Sequence, residues 1–279
     1  MNHKVLDEDI QNLRDSYWDT ITQASAGRKL LLVEGDDDKR VVEQLLEAVT
    51  PFWATKVHVA AAGGRHKVLD KLKGKPDWFG LVDRDVWDDA QVAETKKKRP
   101  NLEVTEGWCI ENHFCHPADV ESALSLAQGT IAAKVDRVLD GWICYGSIWW
   151  TLQRAREDIT ARLPSSKLGH PDTGPWELDK DARALRQGLQ GYQALFGART
   201  VDALIDEIRV RQRGMDALSV HDRIEQGLHG KLLFEEVIAP ALNPLLGQQN
   251  AGEWRDCVAR QWQKHWPAYL VAFAQRLVA

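Results

Sequence analysis

The sequence predicts an α/β fold: an open sheet with helices packed around it, followed by a helical region. Three observations carry that expectation. In Lys29–Leu46, KLLLVEGDDDKRVVEQLL, an apolar run stops at Glu34, a glycine follows, and Val41, Val42, Leu45 and Leu46 then recur at helical spacing. WFGLVDRD repeats the gesture, an apolar run that ends in Asp83 and Asp85. From Ala118 to Ala279 the pattern is mainly helical. Two strands that each deliver carboxylates at their C-terminal ends predict a site for a divalent cation at the edge of the sheet.

The elements follow in order. Asp9–Ala24 reads as a helix, with Ile10, Leu13, Tyr17 and Ile21 spaced to share a face, packing outside the sheet. The first strand then ends on an acid directly after Leu30–Val33, an unfavourable place for a charge unless a cation waits there. Gly35 lets the strand turn at once into a helix. Asp36 and Asp37 read as first-turn acids that cap that helix. Asp38, four residues after Glu34, is the one that can swing back to the same site. KVHVAAAGG, from Lys56, reads as a second strand with a glycine turn, and HKVLDKLKG, from His66, as a short helix ending at glycine.

Asp83 and Asp85 flank Arg84. On a strand, residues two apart share a face, so both carboxylates project together. Paired like charges raise each other's pKa unless a cation lies between them. Magnesium or manganese suits an all-oxygen ligand set. The bland alternative is neutralisation by Arg84 or a nearby lysine. The run Lys96, Lys97, Lys98, Arg99, Pro100 reads as a solvated loop ended by proline, serving solubility or the steering of phosphate. Glycine and proline punctuate the helical region at Leu163–Pro175, Gly191–Gly197 and Pro240–Gly247.

Glu34-Gly35 after one strand and Asp83-x-Asp85 after another resemble the TOPRIM domain. TEGWCIENHFCHP, from Thr105 to Pro117, looks like the strand-then-Glu-Asn element of the OLD-nuclease group, with Glu111 and Asn112 as the pair. Gly230-Lys231 looks like a downstream lysine motif of that group. The resemblance is nearest to the TOPRIM effector paired with ABC-type ATPases in PARIS-type anti-phage systems. It covers roughly residues 28–125 and reaches the helical remainder through Lys231.

It implies a Rossmann-like, mostly parallel sheet with helices on both faces and a C-terminal helical region. It divides the chain into an N-terminal helix (1–27), the sheet domain (28–125) and a helical domain (126–279). The activity implied is a metal-dependent endonuclease acting on DNA or RNA, tRNA among the substrates in view. Glu34, Asp83 and Asp85 hold Mg2+ or Mn2+, with Asp38 and Glu111 serving a second ion, and Lys231 stabilises charge on the phosphate. The partners implied are an ABC-type ATPase and a second copy of the chain. For Glu111 the alternative is a plain surface acid. Two other classes compete: a non-catalytic module that binds nucleotide or a partner, and a primase-type nucleotidyl transferase. A primase of the bacterial type usually carries a zinc module, and a topoisomerase needs a large separate gate for which 279 residues leave little room.

Composition sets outer bounds. Hydrophobic content of 44% and charged content of 28% are ordinary for a globular protein. The net charge of −5 argues against a basic coat protein but not against a nuclease with an acidic site. The first ten residues, MNHKVLDEDI, are charged, and no apolar run approaches the ~20 residues of a membrane span, so a cytoplasmic location without membrane contact is expected. The cysteines 109, 115, 144 and 257 form no CxxC pair. Cys109, His113, Cys115 and His116 match no common zinc spacing, packing explains them better, and zinc is not expected.

Twelve tryptophans stand out. Trp149 and Trp150 are adjacent, and Trp254, Trp262 and Trp266 read as core or contact residues. Arg209, Arg211 and Arg213 form the best basic cluster of the helical part; with Arg84 and Lys96–Arg99 they are the candidates for nucleic acid, against a merely solvated face. His221-Asp222 is a weak hint of acid–base chemistry, because no nucleophile elbow accompanies it.

Overall fold

In the computed structural model, which describes residues 16–159, 175–191, 193–262 and 265–279, the first apolar run forms β1 (Lys29–Val33), buried from Leu30 onward. A strand apolar at consecutive positions needs cover on both faces, and a parallel sheet supplies it. Four parallel strands form that sheet in the order β2-β1-β3-β4, with β2 at Val57–Ala61, β3 at Trp78–Val82 and β4 at Leu102–Val104. The register pairs Leu32 with both Ala60 and Gly80, and Val82 with Val104. The described part of α1 covers 16–25, where Ile21 is buried and Tyr17 is exposed. The Tyr17 hydroxyl donates to the Ala61 carbonyl at 2.7 Å. Ile10 and Leu13 lie outside the described residues.

Helices cover both faces of the sheet. The strands are linked by α2 (Asp36–Val49), α3 (Arg65–Lys71) and α4 (Asp89–Lys98). A side chain at Gly80 would meet Leu72 and Val68, at the end of α3 and within it, at 2.7 and 2.9 Å. The adjacent Phe79 points to the opposite face by strand alternation. There its ring meets Phe273 of the C-terminal helix α14 (Ala268–Val278), edge to face at 6.3 Å. The chain end is tied down as well: the Lys29 ammonium donates to the Arg276 carbonyl at 2.8 Å.

The connectivity reverses between β1 and β3. After β1 the chain crosses to β2 on one side; after β3 it crosses to β4 on the other. Right-handed crossovers make this reversal a topological switch point, where the strand ends open a crevice. Glu34 is the first residue after β1 and Asp83 the first after β3.

The described residues pack as two units. One holds 16–82, 91–104 and 265–279; the other holds 83–90 and the described parts of 105–262. Thus 105–125, grouped with the sheet by the sequence, pack among helices, while the last helix belongs with the sheet. The second unit contains α5 (Pro117–Ala123), α6 (Ala132–Asp136), α7 (Leu139–Ile159), α8 (Leu178–Gln190), α9 (Val201–Asp216), α10 (Val220–Gly227), α11 (Gly230–Leu233), α12 (Ala239–Leu246) and α13 (Ala251–Gln261). Its core interlocks Cys144, Ile148 and Leu152 of α7 with Leu185 and Leu189 of α8 and Leu204, Ile205 and Ile208 of α9, all at three- or four-residue spacing.

Several sequence expectations need correction. Lys96–Lys98 are the last turn of α4 and not a loop; basic side chains there complement the helix dipole. Pro240–Gly247 is mostly helix: α12 continues directly from a π-helical turn, Phe234–Ile238, carries Pro244 within it, and stops at Gly247 with φ of 105°. Of the Leu163–Pro175 break, 163–174 lie outside the described residues. No described helix is long and apolar enough to cross a membrane.

Gly80→Ala is expected to destabilise the protein by ~1–3 kcal/mol, because the added methyl overpacks the α3 contact. Urea unfolding followed by circular dichroism measures this; an unchanged midpoint would contradict the packing described.

Candidate metal centre

β3 ends at Val82, so Asp83, Arg84 and Asp85 lie beyond the strand. This corrects the expectation that strand alternation aligns the two carboxylates. Instead, a second segment of the same unit clamps the tripeptide. The Ile110 N–H donates to Asp83 Oδ1 at 3.0 Å. The Arg84 N–H donates to Thr105 Oγ1 at 2.9 Å, and the Asp85 N–H to the Trp108 carbonyl at 2.8 Å. Asp85 has a φ of 49°, a left-handed conformation that aspartate tolerates better than most residues. Nor does Arg84 neutralise the pair: its guanidinium meets Asp89 at 2.6 Å and the Trp87 carbonyl at 2.9 Å.

Glu111 sits on a short 3-10 helix, Ile110–His113, and is 1% exposed. It is therefore no surface acid. Burying a carboxylate costs several kcal/mol unless it is paired. One oxygen is paired: Arg255, itself buried, approaches Glu111 Oε1 at 3.3 Å and also lies 3.5 Å from Glu235. The other oxygen, Oε2, is buried without a hydrogen-bond partner. Asp83, Cys109 and Glu111 each present one potential ligand atom, all within 4.8 Å of one another. A buried carboxylate with one orphaned oxygen, grouped with a second carboxylate and a thiol, is a donor set that a cation would complete. Burial first, then the neighbouring Glu111 and Asp83 carboxylates, push the Cys109 thiol well above its ordinary range; a hydrogen bond from the Lys231 main chain opposes them.

Asn112 locks this centre together. Its Oδ1 accepts the N–H groups of Cys109 and Gly230, both at 3.1 Å. Its Nδ2 donates to the carbonyls of Ile224 and Leu228, both at 3.0 Å. Every strong hydrogen-bonding position of the buried amide is thereby used. Gly230 approaches so closely that a Cβ there would lie 2.5 Å from the Asn112 nitrogen. Hence Gly230-Lys231 is held against the Glu111-Asn112 pair, and Lys231 joins the neighbourhood of Cys109.

His229 is a residue the sequence reasoning passed over. Its imidazole spans the site, with Nδ1 3.7 Å from Cys109 Sγ and Nε2 3.9 Å from Asp85 Oδ1. Arg255 was also missed, being far from Glu111 in sequence. The one available signal for His229 was its position immediately before Gly230-Lys231.

The remaining candidates scatter. Glu34 is half-buried just after β1, and its carbonyl accepts from Gly63 and Gly64, both at 2.8 Å. Asp38 caps: it accepts the Gly35 N–H at 2.8 Å, half of a capping box that the glycine has no side chain to reciprocate, a capping role expected of Asp36 and Asp37. Lys96 pairs with Glu103, Lys98 with Glu94 at 2.9 Å, and Arg99 donates to the Leu69 carbonyl at 3.0 Å; Lys97 is exposed. Arg209 meets Asp206 at 3.3 Å and Arg213 the Arg209 carbonyl at 3.4 Å. Arg211 points elsewhere, since a two-residue step on a helix turns about 200°. Its guanidinium lies 4.2 Å from the Trp150 ring and 5.6 Å from Trp108, and burial lowers its pKa to about 10.

Cys109, His113, Cys115 and His116 do not converge, and they ride a 3-10 turn, not a strand. Cys115 Sγ approaches the Asn112 carbonyl, His113 faces Glu225 at 3.6 Å, and His116 lies against His221. His221 is exposed, and Asp222 serves the Ser219 cap of α10. Trp254, Trp262 and Trp266 are buried, as expected.

Comparison with protein-family models finds no match, and comparison with curated proteins finds none.

Arg255→Met is expected to cost ~3–5 kcal/mol, because it strands Glu111 as a buried charge. Thermal melts should show a large loss, and a divalent cation should raise the melting temperature of this variant more than that of the wild type. A variant as stable as wild type would remove the charge argument. Asn112→Ala leaves several buried groups unpaired at ~1–3 kcal/mol each and should unfold at markedly lower denaturant.

Proposed function

We propose that the chain is a Mg2+- or Mn2+-dependent nuclease of the TOPRIM type, hydrolysing phosphodiester bonds of DNA or RNA, with tRNA among the substrates to test. The observation that carries this reading is buried Glu111, which has an orphaned Oε2 and presents a ligand atom within 4.8 Å of Asp83 and Cys109. A buried carboxylate half-paired by Arg255 and grouped with another carboxylate is electrostatically incomplete, and a hard cation completes it. Carboxylate oxygens favour magnesium or manganese over zinc.

In this reading Asp83, Asp85 and Glu111 hold the metal, and the resemblance adds Glu34, the first residue after β1. The bound cation would activate water and neutralise the leaving oxygen. The protein's own groups do the rest. Lys231 stabilises charge on the phosphate. His229 lies between Asp85 and Cys109, at the edge of the acidic group. Arg255 holds Glu111 in place. The resemblance to PARIS-type effectors supports an anti-phage role under an ABC-type ATPase; an adjacent ATPase gene would strengthen it.

The decisive assay offers plasmid, single-stranded DNA, total tRNA and structured RNA, each with magnesium and with manganese. Wild type should cut at least one. Asp83→Asn, Glu111→Gln and Glu34→Gln should fall to background, while Lys231→Ala should lose roughly 10²–10³-fold in turnover, the usual cost of one transition-state donor. If wild type cuts none, alone or with a neighbouring ATPase, a non-catalytic binding module replaces the nuclease.

A further inference from the structure

We infer that the cleft lined by Trp108, Tyr145, Trp149, Leu228, His229 and Lys231 takes the base of one unpaired nucleotide. The volume is about 210 Å3, below the ~300–1,000 Å3 of pockets for drug-sized ligands, so it suits one planar ring system. Trp149 is half-buried and lines the cleft. It is backed by Trp108 at 5.3 Å between ring centres, tilted 31°, and His229 stands edge-on to it at 5.8 Å. A tryptophan braced in this way loses little freedom when a base stacks on it.

Gly146 lines the cleft and packs directly on a second backbone. A Cβ on Gly146 of α7 would lie 2.1 Å from the Gly227 carbonyl oxygen, so no side chain can fill that corner. The polar members of the wall, Lys231, His229 and Glu235, suit the edge of a base and the phosphate that follows it.

Continuity with the acidic centre argues for a nucleotide over any other flat ring. Trp108 is also a wall of a second cleft, about 370 Å3, which contains Arg84, Asp85, Glu106, Trp150 and Arg211. The Trp108 carbonyl holds the Asp85 N–H. A base stacked on Trp149 therefore has its phosphodiester beside Asp85 and the Arg211 guanidinium. A paired base cannot enter, because its edge is already bonded within the duplex. The inference rests on the nuclease reading for the class of ligand, but binding is measured without cleavage.

The test is fluorescence anisotropy with short labelled homopolymers of single-stranded DNA and RNA in EDTA, against a blunt duplex of the same length. Trp149→Phe should bind single strands nearly as wild type. Trp149→Leu, which keeps apolar bulk but loses the π face, should bind roughly 5- to 150-fold more weakly, the equivalent of one base–aromatic stack. Leu232→Trp, which fills the cleft from its rim, should weaken single-strand binding as well, whatever the stability of the Trp149 variants. Duplex binding should not respond. Equal binding by the Leu and Phe variants, an equal effect on duplex, or no single-strand binding by wild type overturns the inference. Cleavage that persists with single-strand binding indifferent to Trp149 sinks the base cleft and leaves the nuclease. Trp149-dependent binding without any cleavage does the reverse.

Discussion

The buried amide of Asn112 is the interaction on which the candidate centre depends. One side chain satisfies two N–H groups and two carbonyls drawn from segments far apart in sequence. In a low-dielectric interior each of these groups would be costly unpaired, so the amide fixes its partners in one arrangement. It presents Glu111 on one side and brings Gly230-Lys231 against the other. Gly230 completes the constraint, because a side chain there would collide with the Asn112 backbone.

The acids reach their places by a different device. Asp83 and Asp85 leave the sheet immediately after β3, and three hydrogen bonds from the Thr105–Ile110 segment or to it set their orientation. The left-handed turn at Asp85 then aims its carboxylate toward His229. Glu111 adds a charge that Arg255 compensates at one oxygen only. Fold and chemistry are linked here by electrostatics: the arrangement holds like charges close, as sites for cations do and as stable cores do not.

The basic residues divide by the same logic. Lys96, Lys98, Arg209 and Arg213 meet local acids or carbonyls and behave as ordinary surface charge. Arg211 differs because it lies over the Trp150 ring, and aromatic contact favours a guanidinium that has lost much of its water. The aromatic residues split in parallel. Trp254, Trp262 and Trp266 fill core, whereas Trp149 and Trp150 line clefts.

The sequence by itself determined the parallel α/β sheet and the residues that leave its strands. Consecutive apolar residues flanked by glycine turns have few ways to be buried, and β1, β2, β3, α2 and α3 lie where that pattern puts them. It also singled out Glu111, Asn112 and Lys231, through short motifs. Tertiary structure decided everything that requires distance. A strand-period argument aligned Asp83 with Asp85, but the strand stops before them. Lys96–Lys98 read as loop because local charge does not distinguish a helix end from a turn. Asp38 caps through the Gly35 N–H, a role that the aspartate run alone does not assign among its three members. Arg255 carries no local signal, and His229 only its place before Gly230-Lys231, because their roles arise from partners that only folding brings within ångströms of them. Periodicity reports which face of an element is buried; it says nothing of which buried charges will meet, and that meeting is set by packing.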